Sequence, residues 1–282
     1  MAPAHDTRTI RNIAIVGHAG SGKTSLTEAL LHKAGAIRAS GSIDRKSTVS
    51  DFTDGEKELG HSLSPAICNL EHDGVKVNLI DTPGYPDFMG RALGVLSAVE
   101  TCAVVVNAQA GVELVTQRMM DFAAESKLCR LVIINKIDTE GFQLEEVLGA
   151  IRETFGRECL PLNLPADKGQ AVADCFFEPA DVSPDFSSVD AAHTEILDQV
   201  VELDDDLMEL YLEQGEDISL EQLHDPFERA LRAGHLIPVC FASAETGAGL
   251  RQLLRIFSQL MPSPLESNPP EFYKTNGEET LI

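Results

Sequence analysis

The chain has 282 residues, 43% of them hydrophobic, enough for one large or two modest domains with a sizeable core. Its 45 acidic residues against 22 basic ones leave a formal net charge of −23, which argues against a surface that wraps duplex nucleic acid and suits solubility or a basic protein partner. The six cysteines (Cys68, Cys102, Cys129, Cys159, Cys175 and Cys240) form no CxxC pair, and the amino-terminal MAPAHDTRTIRN has no apolar signal core. Reduced, buried thiols in a cytoplasmic chain are expected, with no membrane segment.

Ile10 to Val16 reads as a buried strand, and it runs into GHAGSGKT, residues 17 to 24. This is the phosphate-loop pattern. Its glycines let the backbone aim N–H groups at an anion, Lys23 adds a charge that reaches the outer phosphates, and the Thr24 hydroxyl can ligate magnesium. A helix begins at Ser25, so the motif lies between strand and helix as its chemistry requires. Residues 36 to 64 are rich in Ser, Thr, Asp and Gly and lack periodicity. A loop this long is functional or disordered, and its place after the phosphate-loop helix suits a nucleotide-sensing switch.

Two β-rich runs, AICNLEH and VKVNLI, are joined by Asp73-Gly74, which predicts a hairpin and one antiparallel strand. The second run ends in Asp81-Thr82-Pro83-Gly84. An aspartate at that strand end can hold magnesium directly or through water, and Gly84 can bring its N–H to a γ-phosphate. Asp87 to Glu100 reads as a helix with Leu93, Leu96 and Val99 inward. Cys102 to Val106 reads as a strand, Val112 to Lys127 as a helix and Leu128 to Ile134 as a strand. That last strand leads into Asn135-Lys136-Ile137-Asp138. Guanine presents N1–H and N2–H₂ on one edge, and the Asp138 carboxylate can accept from both. Adenine lacks this donor pair, so such a site rejects it by factors on the order of 10⁴. Asn135 can serve N7 or tie the loop to the phosphate loop, and the Lys136 stem can cover the base.

Gln143 to Thr154 reads as a helix. From 159 to 235 the rhythm changes. Pro161, Pro165, Pro179 and Pro184 stand among short apolar runs, a helical block follows from Ala191 to Gln214 around Asp204-Asp205-Asp206, and Ser219 looks like the N-cap of a helix reaching Ala233. This predicts an inserted α+β subdomain with an acidic face. Leu236 to Phe241 resumes the sheet, and the Ser243-Ala244 turn can offer backbone N–H groups to a guanine carbonyl. Leu250 to Met261 closes as a helix. The expected architecture is α/β: a phosphate-loop fold with a mostly parallel sheet, one antiparallel strand and helices on both faces. Its boundaries are 1–158 and 236–265 for the nucleotide domain, 159–235 for the insertion and 266–282 for a linker.

The ordered set GHAGSGKT, DTPG, NKID and Ser-Ala resembles the G domain of translational GTPases. The fuller pattern is most similar to elongation factor G and its divergent paralogues. EKELGHSLS at residues 56 to 64 resembles that family's first switch and TPGYPDF its second. The insertion after NKID matches the extra subdomain of elongation factor G, which elongation factor Tu lacks. The resemblance implies GTP and GDP as ligands with Mg²⁺, and a GTPase that is slow without the ribosome and drives translocation or ribosome recycling. It further implies the ribosome and its stalk as partners of a longer, monomeric factor. By the same resemblance His18, Ala19, Gly20, Ser21, Gly22, Lys23, Thr24 and Ser25 hold the phosphates. Asn135, Lys136, Asp138, Ser243 and Ala244 form the guanine site. Thr24, Ser62 and Asp81 serve the metal, and Lys23, Gly84 and Tyr85 serve catalysis. Three positions depart from the family pattern. Tyr85 replaces a histidine that helps place the attacking water, Gly20 an aspartate, and Leu59 an arginine. They leave guanine recognition untouched and bear on the hydrolysis rate; the alternative they raise is a GTP/GDP-responsive, ribosome-binding switch with little turnover. An ATPase of the same fold is a third reading, which Asp138 opposes.

Overall fold

Alternation along the strands decides the architecture. In β1 (Ile10–Val16), Ile13 and Ile15 face one side and Ala14 and Val16 the other, and all four are buried. The same two-sided burial holds for Ala103 and Val105 against Val104 and Val106, and for Leu131 and Ile133 against Val132 and Ile134. A sheet buried on both faces must be covered on both. The computed structural model describes residues 5–178, 182–214, 218–268, 272–273 and 279–280. Pro179 and most of the predicted linker lie outside them.

From β1 the chain enters α1 (Lys23–Lys33), a long loop with the short α2 (Asp54–Leu59), and the hairpin β2 (Ala66–His72) and β3 (Val75–Asp81). Then come α3 (Met89–Leu96), β4 (Thr101–Asn107), α4 (Leu114–Glu125), β5 (Cys129–Asn135) and α5 (Leu144–Phe155). The later part holds β6 (Cys159–Pro161), β7 (Asn163–Ala166), β8 (Ala171–Asp174), α6 (Val189–Val201), α7 (Asp205–Gln214) and α8 (Leu220–Ala233). It closes with β9 (Ile237–Ala242), α9 (Leu250–Gln259) and the short pair β10 (Phe272–Tyr273) and β11 (Glu279–Thr280). The main sheet has seven strands in the order β2-β3-β1-β4-β5-β9-β6, parallel throughout except for β2 against β3. This is the phosphate-loop α/β architecture the motifs predict. Helices α1 and α9 pack on one face, and α3, α4 and α5 on the other. Among the described residues no helix is long and apolar enough to cross a membrane.

Several elements differ from the expectations. The helix expected over 87–100 is shorter: Pro86 to Phe88 form a 3-10 turn, α3 stops at Leu96, and Ala92 and Leu96 face inward more fully than Leu93. The block 191–214 is two helices. Asp204 accepts from the Leu207 N–H at 2.9 Å, and that side-chain bond starts α7 instead of continuing α6. Asp204 also pairs with Arg229, so part of the acidic face is engaged within the chain. The insertion packs against the main sheet. Its first strand, β6, pairs with β9 as the last strand of the main sheet, and Phe176, Ile196, Val200 and Phe227 share one core with Leu26, Leu30 and Leu253. A short strand followed by prolines carries no sign in sequence of where its partner lies. At the tail, Asn268 donates to the Lys127 and Arg232 carbonyls at 2.8 and 3.0 Å, so the linker expected from 266 is tied to the body up to that point. All six cysteines are free and buried, and burial pushes the Cys68 thiol up to about 11 and those of Cys102, Cys129, Cys159 and Cys175 to about 12.

Candidate functional site

Strands β1, β3, β5 and β9 run parallel, so their carboxyl ends share one edge of the sheet, and the four motif loops leave from that edge. This is where open α/β sheets bind ligands. The phosphate loop is built around constrained glycines. Gly22 has φ +89°, and a Cβ there would stand 2.5 Å from Asn135 Nδ2. Gly84 from the second loop lies so close to the first that a Cβ would stand 2.8 Å from the Ala19 amide nitrogen. Only glycine permits these approaches.

Lys23 is 6% exposed and donates to the Gly17 and His18 carbonyls, both at 2.9 Å. Burial pulls its ammonium down to about 8, with the Asp81 and Glu113 carboxylates opposing. Thr24 Oγ1 donates to Asp81 Oδ2 at 2.7 Å and lies 3.4 Å from Ser62 Oγ. Asp81 is 1% exposed, and burial pushes its carboxyl up to about 6 against the pull of Thr24 and Lys23. A phosphate beside Lys23 and a cation beside Asp81 would reverse both shifts. Asp81 Oδ1 is buried without a hydrogen-bond partner, as are Ser21 Oγ and His18 Nδ1. Among the described residues no three His, Cys, Asp or Glu side chains gather for a metal. The Thr24 and Ser62 hydroxyls and the Asp81 carboxylate stand together, hard oxygen donors of the kind that would suit a magnesium ion.

On the guanine side, Asn135 is 1% exposed and joins three loops. Its Nδ2 donates to the Ser21 carbonyl at 3.0 Å, and its Oδ1 accepts from the Ala244 N–H at 3.2 Å. Of the two roles open to Asn135, the structure displays the tie to the phosphate loop. Lys136, with φ +66°, donates from Nζ to the Gly20 carbonyl at 2.8 Å. Asp138 Oδ1 is buried without a partner, the state expected of a carboxylate built to receive a base edge. Ser243 is held within its own turn. Its N–H donates to the Ala248 carbonyl at 3.0 Å and its hydroxyl accepts from the Glu245 and Thr246 N–H groups, so it shapes the turn. A cleft of about 280 Å³ runs beside the phosphate loop, lined by Lys23, Thr24, His61, Ser62, Gly84 and Tyr85 among others. Gly20 and Ser25 also line it, whereas Asn135, Asp138, Ser243 and Ala244 stand outside its wall.

Several supporting residues carry weak signals in the sequence. Glu28 on α1 is fully buried and accepts from the Gly41 N–H at 2.8 Å and from the Val49 N–H, which pins the first half of the switch segment. Asp51 accepts from Ser62 Oγ at 2.7 Å. Glu56 accepts from Thr53 Oγ1 at 2.7 Å and from the Leu63 N–H at 3.0 Å, and with Thr53 it forms a capping box. The T-x-x-E spacing is readable in sequence; the reach of Glu56 to Leu63 is not. Gly169, in the β7–β8 turn with φ +76°, lies against the guanine loop so closely that a Cβ would stand 2.6 Å from the Ile137 carbonyl carbon.

The family described as Elongation factor Tu GTP binding domain matches residues 8–263. The chain is 34% identical to an elongation factor G-like protein of Mycobacterium tuberculosis over 280 residues, covering 95% of this chain and 39% of that one. It is also 34% identical to an elongation factor G-like protein of Thermotoga maritima over 290 residues, covering 98% of this chain and 41% of that one. A crystal structure of a Thermus thermophilus protein superposes with a TM-score of 0.84 at 36% identity, over 94% of this chain and 42% of the other. The chain thus spans about two fifths of the length of the curated relatives it matches.

Proposed function

The chain belongs to the translational GTPases of the elongation factor G family, and from that premise we propose that it binds GTP with magnesium and hydrolyses it to GDP and phosphate in support of translocation or ribosome recycling. The observation that carries this reading is a pair of buried carboxylate oxygens without partners, Asp81 Oδ1 beside Thr24 and Asp138 Oδ1 in the NKID loop. A buried unpaired acceptor costs about 1–3 kcal/mol. A cation at one and the N1–H and N2–H₂ groups of guanine at the other would recover that cost. Lys23, released from the Gly17 and His18 carbonyls, takes the outer phosphates together with the N–H groups of residues 18–25. Thr24 and Ser62 would hold a magnesium ion, and Asp81 would serve it through water. The metal, when bound, neutralises charge across the β- and γ-phosphates. Gly84 brings its N–H to the γ-phosphate. Ser243 and Ala244 complete the guanine site from the turn after β9, where the Ala244 N–H meets Asn135 Oδ1.

The ribosome, through its stalk, is the partner we propose for the intact protein. A second reading, a GTP/GDP-responsive switch with little turnover, is favoured by Tyr85, which is 43% exposed at the rim of the cleft. The test has two steps. GTP and GDP are expected to displace a fluorescent GDP from the protein while ATP does not; displacement by ATP at similar concentration refutes the role of Asp138. Single-turnover GTP hydrolysis is then measured with and without ribosomes. A ribosome-stimulated rate supports the GTPase, and its absence leaves the switch.

A further inference from the structure

Attack on a terminal phosphate needs a water held in line by a neighbour that accepts one of its hydrogen bonds. The acceptors lining the cleft are the hydroxyls of Thr24, Ser25, Ser62, Thr82 and Tyr85, all weaker bases than a ring nitrogen, with one exception. The ammonium groups of Lys23 and Lys136 only donate. The Thr24 hydroxyl donates to Asp81, and the Ser62 hydroxyl to Asp51. The exception is His61, which lines the same cleft one residue before Ser62. Its Nδ1 lies 3.3 Å from the Ser62 carbonyl oxygen. A carbonyl only accepts, so Nδ1 carries the hydrogen, and in the neutral ring Nε2 is left as a lone-pair acceptor. The ring is held by packing: its centroid lies 4.4 Å from that of Tyr85, at an interplanar angle of 47°, and 6.2 Å from that of Phe88.

We propose that His61 Nε2 orients the attacking water, and that Tyr85 is a positioning residue whose ring holds the imidazole. This rests on the GTPase reading above and assigns its water-orienting group. In the step, the water oxygen bonds to the γ-phosphorus as the bond from that phosphorus to the β–γ bridging oxygen breaks. The bond's electron pair stays on GDP. One water proton passes to an oxygen of the departing phosphoryl group, and the imidazole ends as it began.

The test is single-turnover GTP hydrolysis by the intact protein with ribosomes at saturating GTP, for wild type, H61A, H61Q and Y85F. Affinity for fluorescent GDP is measured on the same samples. H61A is expected to lose rate on the order of 10²-fold, the usual cost of a misplaced reactant, with GDP affinity retained. H61Q, whose amide oxygen accepts a hydrogen bond, retains more rate than H61A, Y85F falls less than H61A, and added imidazole restores part of the H61A rate. H61A hydrolysing at the wild-type rate, or Y85F falling further than H61A, overturns the assignment while leaving the GTPase intact. A wild-type protein that binds GTP and shows no turnover with ribosomes overturns the GTPase reading itself, and the role of His61 with it.

Discussion

Asn135→Ala tests the idea that one amide locks the site. The Asn135 side chain bridges the phosphate loop through Ser21 and the last motif loop through Ala244, and it is 1% exposed. Truncation takes a donor from a carbonyl and an acceptor from an N–H where water has little access. At about 1–3 kcal/mol for each stranded group, reduced by local relaxation, the loss is about 2–4 kcal/mol. For a domain of this size each kcal/mol lowers Tm by about 2–4 °C, so a fall on the order of 4–16 °C is expected. The assay is urea and thermal denaturation of the nucleotide-free protein, so that the clamp is read apart from any ligand. Asn135→Asp sharpens the test. It keeps an acceptor for the Ala244 N–H but turns oxygen toward the Ser21 carbonyl, and it should destabilise at least as much as alanine. A loss below about 1 kcal/mol for alanine, or an aspartate variant as stable as wild type, would refute the reasoning.

Three further expectations follow from the geometry. Gly84→Ala puts a methyl carbon 2.8 Å from the Ala19 amide and beside Lys23, so GTP hydrolysis should be lost and any preference for GTP over GDP reduced, as read by competition binding. Gly169→Ala, remote in sequence from every motif, pushes on Ile137 and should weaken GDP affinity measured by fluorescence titration, while Gly149→Ala, in open space on α5, should not. Burial raises the Glu56 carboxyl, but hydrogen bonds from Thr53, Leu63 and Ser64 outweigh it, so the net displacement is downward from 4.5. A depressed acid stabilises the fold above its unfolded value, and that contribution is lost as pH falls through the folded value. Protection of the Leu63 and Ser64 amides, taken relative to their intrinsic exchange rates, should therefore fall below about pH 4.5 in wild type and already be low at pH 7 in Glu56→Ala; equal protection in both at pH 7 would count against the role of Glu56.

The sheet and the motif loops are legible in the sequence because their signals are local. Two-sided apolar runs mark buried parallel strands, and Asp73-Gly74 marks a hairpin. Glycines that need positive φ or close approach fall where GHAGSGKT and DTPG put them. That the insertion adds a strand to the main sheet is not legible, because β6 has three residues and its partner β9 lies almost eighty positions on. Glu28 is invisible as a switch anchor because its bonds to Gly41 and Val49 depend on how an unpatterned loop folds back on α1. His61 is silent for a related reason. Nothing in EKELGHSLS reveals that its ring meets Tyr85 from another loop. The bonds inside the Ser243 turn are silent as well, because two residues of sequence do not specify that the Ser243 N–H meets the Ala248 carbonyl.

The β2–β3 hairpin has a consequence at long range. Its register sets Ala66 opposite Asp81, so the segment that ends in His61 and Ser62 and the segment that begins with Gly84 leave from the same rung of the ladder. That register is imposed at the far end, where Asp73 (φ +49°) and Gly74 (φ +77°) make the tight turn. The span from turn to site is about 20 Å at roughly 3.4 Å per residue. A slip of one residue there would turn every side chain of β2 to the opposite face and carry the first switch out of step with the second. A two-residue turn that touches no part of the cleft thus keeps in register the two loops that border it.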